Sequence, residues 1–170
     1  MTTIVLPSEV DAVFRVFRVC ELTTLARDGA PITWPTAACY QPEQTRFLIT
    51  SSLGFPQKAF NIRRNSHVAL LFSDPMGSGL ASPPAVLVQG DAVAPDNVVT
   101  SVEGLEDYWR DSVFGRQPAS EAFNSNAVMQ TLMDWYYMRL LIFVTPRAIL
   151  WWPAGDFAQS ARRVETPHVG

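Results

Sequence analysis

The only lysine of this chain, Lys58, stands near the expected start of a short helix, a few residues after three hydroxyl residues. These residues, Thr50-Ser51-Ser52, end an apolar strand-like segment, and Pro56 suits a first helical position. A helix start already presents positive charge, because its first backbone N–H groups lack partners within the helix and the macrodipole adds to them. A lysine at this position is favourable when a bound anion lies between its ammonium and the N–H groups of the helix start. The pattern therefore predicts a phosphate site of N–H groups, hydroxyls and an ammonium.

Positive charge is concentrated around this segment. Residues 44–73 contain four basic side chains and no acidic one, although the net charge of the chain is −3. The four are Arg46, Lys58, Arg63 and Arg64. A second interpretation stays open, in which the hydroxyl residues form an ordinary polar turn and the two late arginines only stabilise the C-terminus of the helix.

The elements that would position these residues are mainly antiparallel strands. Short apolar runs bounded by turn residues predict strands at residues 21–26, 32–40, 47–50, 68–72, 85–93, 138–144 and 147–152. Asp28-Gly29 indicates a hairpin turn between the first two, and Thr145-Pro146 indicates a corner between the last two. Helical spacing of apolar residues predicts helices at 8–19, 57–64, 95–116 and 126–137. We expect one domain over residues 1–155 and a frayed tail over 156–170.

Two residues inside the predicted strands have special backbone consequences. Pro35 cannot donate a hydrogen bond to a neighbouring strand, so its strand lies at an edge or has a bulge there. A bulge would turn Trp34 and Thr36 outwards towards a ligand, whereas an edge proline only prevents aggregation, and both interpretations stay open. Gly90 is expected to form a bulge or bend of the kind that closes small barrels.

Composition excludes several classes of function. With 170 residues, 48% of them hydrophobic and 17% charged, the chain is expected to fold around a real core. An acidic pI of about 5.3 argues against nucleic acid as a partner. No signal-like segment and no apolar run of membrane-spanning length occur, and Cys20 and Cys39 do not form a disulfide framework, so we expect a cytoplasmic protein.

Residues for direct catalysis are scarce. The two histidines have no cysteine or carboxylate at metal-ligand spacing, so no metal site is predicted. There is no nucleophile elbow, Walker loop or dinucleotide-type glycine motif, and the acidic residues near 103–107 fit a solvated helix face. Such a chain, if it is an enzyme, is expected to take its chemistry from an organic cofactor that carries a phosphate.

Several segments in the same order resemble one known superfamily. They are residues 22–31 (LTTLARDGAP), 47–52 (FLITSS), 58–65 (KAFNIRRN) with 68–72 (VALLF), 86–92 (VLVQGDA) and the Val-Thr-Pro-Arg pattern within 139–152. Together they resemble the pyridoxamine 5′-phosphate oxidase-like, FMN-binding split-barrel superfamily. The resemblance implies a mainly β fold with flanking helices, namely a six-stranded antiparallel split barrel that dimerises with cofactors at the subunit interface.

The resemblance also implies where a cofactor would lie. The implied cofactor-binding residues are Thr33, Trp34, Pro35, Thr36, Thr50, Ser51, Ser52, Gln57, Lys58 and Trp152. The segment 33–38 would line the ring and ribityl chain, the hydroxyl residues would bind ring and chain, and Lys58 with Gln57 would hold the phosphate. Trp152 would reach the ring bound by the partner subunit, although core packing explains it equally well.

The sequence departs from the oxidase proper at Ala38, at Ala85 and in its C-terminal arginine segment, so oxidation of pyridoxamine phosphate is not expected. We therefore expect a homodimeric flavin-type oxidoreductase that transfers hydride to or from a small, flat substrate, with no catalytic residue assigned. FMN is the first cofactor choice and the deazaflavin coenzyme F-420 the second. The alternatives are a protein that binds or sequesters a flavin or haem without catalysis, and a purely structural or regulatory dimer.

Overall fold

The computed structural model of the chain describes residues 4–100, 108 and 138–164. Within them the protein is mainly antiparallel β. The helices are α1 (Ser8–Val16) and α2 (Gln57–Arg64), and the strands are β1 (Cys20–Leu25), β2 (Pro31–Thr36), β3 (Cys39–Gln41), β4 (Arg46–Ser52), β5 (His67–Phe72), β6 (Ala85–Val93), β7 (Val98–Val99), β8 (Arg139–Trp152) and β9 (Arg162–Val164). None of the helices in this part of the chain is long and apolar enough to cross a membrane.

The strands form one curled sheet. Its order is β2-β1-β5-β6-β8-β4-β3, with β7 and β9 also paired to β8. Strands β2 and β3 terminate opposite ends of this order, yet only Ala37 and Ala38 separate them in the sequence. The Cα atoms of Thr36 and Cys39 can therefore be at most about 11 Å apart, so the sheet must curl until its two ends meet. The predicted split barrel is therefore confirmed. The six strands expected correspond to the long strands, and β3, β7 and β9 add three short ones.

The core lies inside this curl, where alternate residues of neighbouring strands meet. One cross-strand row consists of Trp34, Leu22, Leu70, Val88, Ile149 and Val164. Helix α1 closes the core because its apolar residues recur at helical spacing, and Phe14 packs its ring against Phe47 at a centroid distance of 4.9 Å. The helix ends at Val16, three residues before the predicted end.

The predicted corner at Thr145-Pro146 is wrong. Strand β8 continues through it for 14 residues and pairs with both β4 and β6. The irregularity lies instead in the register with β6, which shifts between Gln89 and Gly90. A Cβ added to Gly90 would lie 2.5 Å from the carbonyl oxygen of Thr145, so only glycine lets the two backbones approach this closely. The irregularity predicted at Gly90 is confirmed as a shift of register, and the extra residue of the bulge is Arg147 on β8, beside Pro146.

Two further expectations need revision. Val98 and Val99, placed in the predicted helix 95–116, form β7 and pair with β8. The rest of that helix, apart from Tyr108, and the helix at 126–137 lie outside the described residues. In the segment expected to be a frayed tail, Arg162–Val164 form β9 and Val164 is buried, because its side chain completes the core row beside Ile149.

Candidate cofactor site

A tight turn joins β4 to α2 and gives the site its shape. The backbone N–H of Phe55 donates to the carbonyl oxygen of Ser52 at 3.0 Å. The hydroxyl of Ser51 donates to the carbonyl oxygen of Phe55 at 2.8 Å, and the N–H of Gly54 donates to the hydroxyl oxygen of Ser52 at 3.3 Å. Ser51 is buried, and its hydroxyl holds the turn. Ser52 is partly exposed at the end of the strand.

Helix α2 begins at Gln57, so Lys58 lies in its first turn as the sequence predicted. Pro56 stands one position earlier than expected, just outside the helix. Burial lowers the pKa of Lys58, and the nearby positive charge of Arg139 lowers it further. No acidic side chain of the described residues forms an ion pair with Lys58. A partly buried ammonium beside a second cation, with no ion pair of its own among the described residues, favours a bound anion.

Arg139 is the site residue that the sequence reasoning missed. It begins β8 and pairs directly with Ser52 at the end of β4. Directly paired residues of antiparallel strands project from the same face, so Arg139, Ser52 and, two residues earlier, Thr50 share one face. The two segments are far apart in sequence, and only the pairing of β4 with β8 brings them together. The one signal in the sequence that could have indicated Arg139 is its position as a basic residue at the start of the last long strand.

Strand β2 is the edge of the sheet, and in the described residues it pairs with β1 alone. The predicted edge position of Pro35 is confirmed. Trp34 shares the inward face with Leu22, and its ring centroid lies 5.7 Å from Nζ of Lys58. Thr36, two residues on, projects from the same face as Trp34. Thr33 and Pro35 project from the opposite face, where the hydroxyls of Thr33 and Thr23 are 2.8 Å apart.

Like Thr33 and Pro35, Trp152 is a sequence-predicted site residue that a single chain does not bring to the face of Trp34 beside Lys58. It pairs with Ala85 at one end of β8, whereas Arg139 and Ser52 meet at the other end. Strand geometry puts the two ends of β8 roughly 40 Å apart along the chain. The ring of Trp152 packs against Phe157 at a centroid distance of 5.1 Å.

Tyr108 contacts the site from a segment that is otherwise outside the described residues. Its hydroxyl lies 3.1 Å from the hydroxyl of Thr50. Burial raises the pKa of Tyr108, so the phenol stays protonated at neutral pH and can donate this hydrogen bond. The hydroxyl of Thr50 is thus oriented from within the protein.

No protein-family model matches this chain, and no curated protein sequence matches it. Solved structures do share its fold. A proposed pyridoxamine 5′-phosphate oxidase from Listeria innocua is 17% identical in sequence, with a TM-score of 0.51. The superposition covers 83% of this chain and 93% of the oxidase chain. An F-420 reductase is 19% identical, with a TM-score of 0.55, and the superposition covers 85% of this chain and 98% of the reductase chain. An FAD-binding protein from Mesorhizobium loti is 20% identical, with a TM-score of 0.52, and the superposition covers 85% of this chain and 92% of that protein's chain.

This chain has the pyridoxamine 5′-phosphate oxidase-like split-barrel fold. Its fold-defining parts are the curled antiparallel sheet and the short helix that follows β4. The low identities make the likeness one of backbone architecture.

In this split barrel a buried polar cluster ties α2 to the sheet. The side-chain amide of Asn61 donates to the hydroxyl of Thr24 on β1 at 3.0 Å, and both residues are fully buried. The oxygen of the same amide accepts hydrogen bonds from Gln57 at 2.8 Å and from Arg64. Gln57 and Arg64 are thus held by one residue of the helix that carries Lys58, which orients the first turn of α2.

Proposed function

We propose that this protein is an oxidoreductase that uses a flavin-type cofactor bound through its phosphate beside Lys58. The observation that carries the proposal is the partly buried ammonium of Lys58, whose pKa is lowered by burial and by Arg139 and which no acid of the described residues balances. The solved structures named above for an F-420 reductase and an FAD-binding protein support a cofactor of this class. FMN is our first choice and the deazaflavin F-420 the second.

The residues of this chain would bind and orient the cofactor. Lys58 and Arg139 would neutralise the phosphate, and the hydroxyl of Ser52 would donate to it or to the chain that carries it. Trp34 offers a flat apolar surface beside Lys58, and Phe55 at the tip of the turn is 75% exposed, so aromatic surface is available for a flat ring. The bound cofactor ring would supply the hydride-transfer chemistry.

We further propose that the working form is a cytoplasmic homodimer with a cofactor at the interface. Because Trp152 lies at the far end of β8 from Arg139, it can approach a cofactor only from a second copy. In that arrangement Trp152 would cover the ring bound by the partner and exclude water from it. The substrate would be a small, flat molecule placed against the same ring.

A cofactor titration followed by a transfer assay tests this function. We expect FMN or F-420 to raise the melting temperature, since a ligand at a hundredfold its dissociation constant adds about 2.7 kcal/mol of stability. The bound, reduced cofactor should then transfer hydride to flat acceptors such as quinones faster than the same cofactor free in solution. Tight binding without faster transfer would instead indicate a protein that stores or sequesters the cofactor. If FMN, F-420 and haem all fail to bind, the proposal is wrong.

The affinity for FMN should depend on pH through Lys58. A bound phosphate dianion favours the protonated amine, so binding takes up a proton wherever the free lysine has lost one. We expect FMN affinity to fall as the pH rises through the lowered pKa of Lys58 towards the ordinary 10.5. Over the same window the cofactor-free protein should become more stable, because the unfolded state binds more protons there.

Calorimetric titrations from pH 7.5 upwards measure the pH effect. Riboflavin, which has the same ring and no phosphate, corrects for titration of the ring itself. Lys58→Arg is the matched variant, since a guanidinium stays protonated throughout and should remove the fall in affinity. A fall of equal size in Lys58→Arg would assign the effect to another group.

A further inference from the structure

A cleft at one end of the sheet has the size of a small-molecule site. It lies between the loop 73–84, which joins β5 to β6, and the turn Pro153–Gly155 that follows β8. Its volume is about 580 Å³, and ligand pockets typically have volumes of roughly 300–1,000 Å³. The cleft lies near the end of β8, whereas Arg139 begins that strand. Within one chain it is therefore separate from the proposed cofactor site.

The lining of the cleft is mostly apolar, and Asp74 is the one ionisable side chain that the described residues contribute to it. One oxygen of Asp74 accepts a hydrogen bond from the backbone N–H of Met76 at 2.9 Å. The guanidinium of Arg18 packs over Gly77 in the same loop, yet Asp74 forms no ion pair with it or with another described residue. The second oxygen of this exposed carboxylate is thus available to a cation. The larger apolar residues of the lining are Phe17, Pro75, Met76, Leu80, Pro83 and Pro84.

The backbone on both sides of the cleft is held in an unusual conformation. Ser82 and Ala154 both line the cleft, and their φ angles are +48° and +52°, in the left-handed region that residues with a Cβ rarely adopt. In the loop, the N–H of Ser78 donates to the carbonyl oxygen of Pro75 at 3.0 Å, and the N–H of Leu80 donates to the hydroxyl of Ser78 at 3.2 Å. Such backbone positions cluster at ligand sites, and these hydrogen bonds fix the loop before a ligand arrives.

We propose that this cleft binds a flat, aromatic organic cation, with its ring against the prolines and its positive group at Asp74. Proline rings and aromatic rings pack closely on each other, as in the aromatic grooves that recognise proline-rich segments. The apolar lining favours burial of the ring, and the second oxygen of Asp74 accepts a charge-assisted hydrogen bond from the cation. A neutral ligand lacks that contact, and an anionic ligand is repelled by the carboxylate.

Three anthracene derivatives that differ in one group test this ligand class on the full chain without cofactor. The group on the central ring is an aminomethyl, a hydroxymethyl or a carboxylate, so the probes are cationic, neutral and anionic at neutral pH. The fluorescence of the anthracene ring reports binding. We expect the amine to bind roughly tenfold more tightly than the alcohol and the carboxylate to bind most weakly. Equal affinities for the amine and the alcohol, or no binding of the amine, would overturn the proposal.

Asp74→Asn removes the charge and retains an acceptor for the N–H of Met76, so the loop should keep its shape. It should raise the dissociation constant of the amine by about tenfold and leave that of the alcohol unchanged. Asp28→Asn is the matched control, since Asp28 accepts a hydrogen bond from the N–H of Ala30 at 3.1 Å in the same way. It follows β1 at the end of the β1–β5 pair away from Asp74, so neither affinity should change.

A second variant locates the bound charge. Met76 is 78% exposed, so Met76→Lys should fold, and melting temperatures show whether each variant does. The added ammonium should weaken the amine and strengthen the carboxylate by about threefold to fivefold each. An amine affinity that Asp74→Asn leaves unchanged, or that Asp28→Asn lowers equally, would assign the binding to another surface. The proposed cofactor is absent from all these titrations, so this site and the cofactor site can fail separately.

Discussion

Replacing Lys58 with alanine is expected to raise the dissociation constant for FMN by roughly 100-fold while changing that for riboflavin less than about threefold, since a hydrogen bond to a charged group is worth about 1.5–3 kcal/mol. The reason is that Lys58 would act only on the phosphate. Its ammonium lies beside Trp34 and near Arg139, and it has no ion pair within the described residues. Calorimetric titration of both ligands measures the difference.

The control for this variant removes a positive charge elsewhere. Arg15→Ala takes away a cation that pairs with Asp11 on the surface of α1, remote in sequence from α2. It should leave the FMN affinity unchanged, because surface charges of this kind are screened. Lys58→Arg should retain most of the affinity. Equal losses for FMN and riboflavin in Lys58→Ala would show that the lysine does not hold the phosphate.

Replacing Asn61 with leucine is expected to lower the free energy of unfolding by about 2–4 kcal/mol. The substitution keeps a similar volume but removes one donor and one acceptor from a fully buried position. It leaves the hydroxyl of Thr24 and the amide of Gln57 without these partners. Because α2 carries Lys58, loosening the helix should also weaken FMN binding more than riboflavin binding.

Urea unfolding and the same two titrations measure this second effect. Asn65→Leu is the matched control, since its amide accepts a hydrogen bond from the backbone N–H of His67 at the partly exposed end of α2. Its loss should cost less than about 1 kcal/mol. An Asn61 variant as stable as the control would contradict the view that one buried amide anchors the helix.

Local patterns predicted much of the fold. The Asp28-Gly29 hairpin and α2 at residues 57–64 were both correct, because each depends on residues that are close in sequence. The corner predicted at Thr145-Pro146 failed for the opposite reason. A proline followed by an arginine is typical of a turn, but here Arg147 is the extra residue of a bulge in β8 opposite Gly90, and this bulge accommodates the proline inside a long strand.

The sequence by itself determined the first turn of α2, with Lys58 in it, and the hydroxyl residues that end β4. It could not identify Arg139, because a cation acts on Lys58 through space and the contact exists only after β4 pairs with β8. It also could not show that Val164 completes the core row beside Ile149, since that depends on the register of β8 with β9. Local backbone conformation depends on neighbouring residues, whereas the register between strands depends on which face of the whole sheet can be buried.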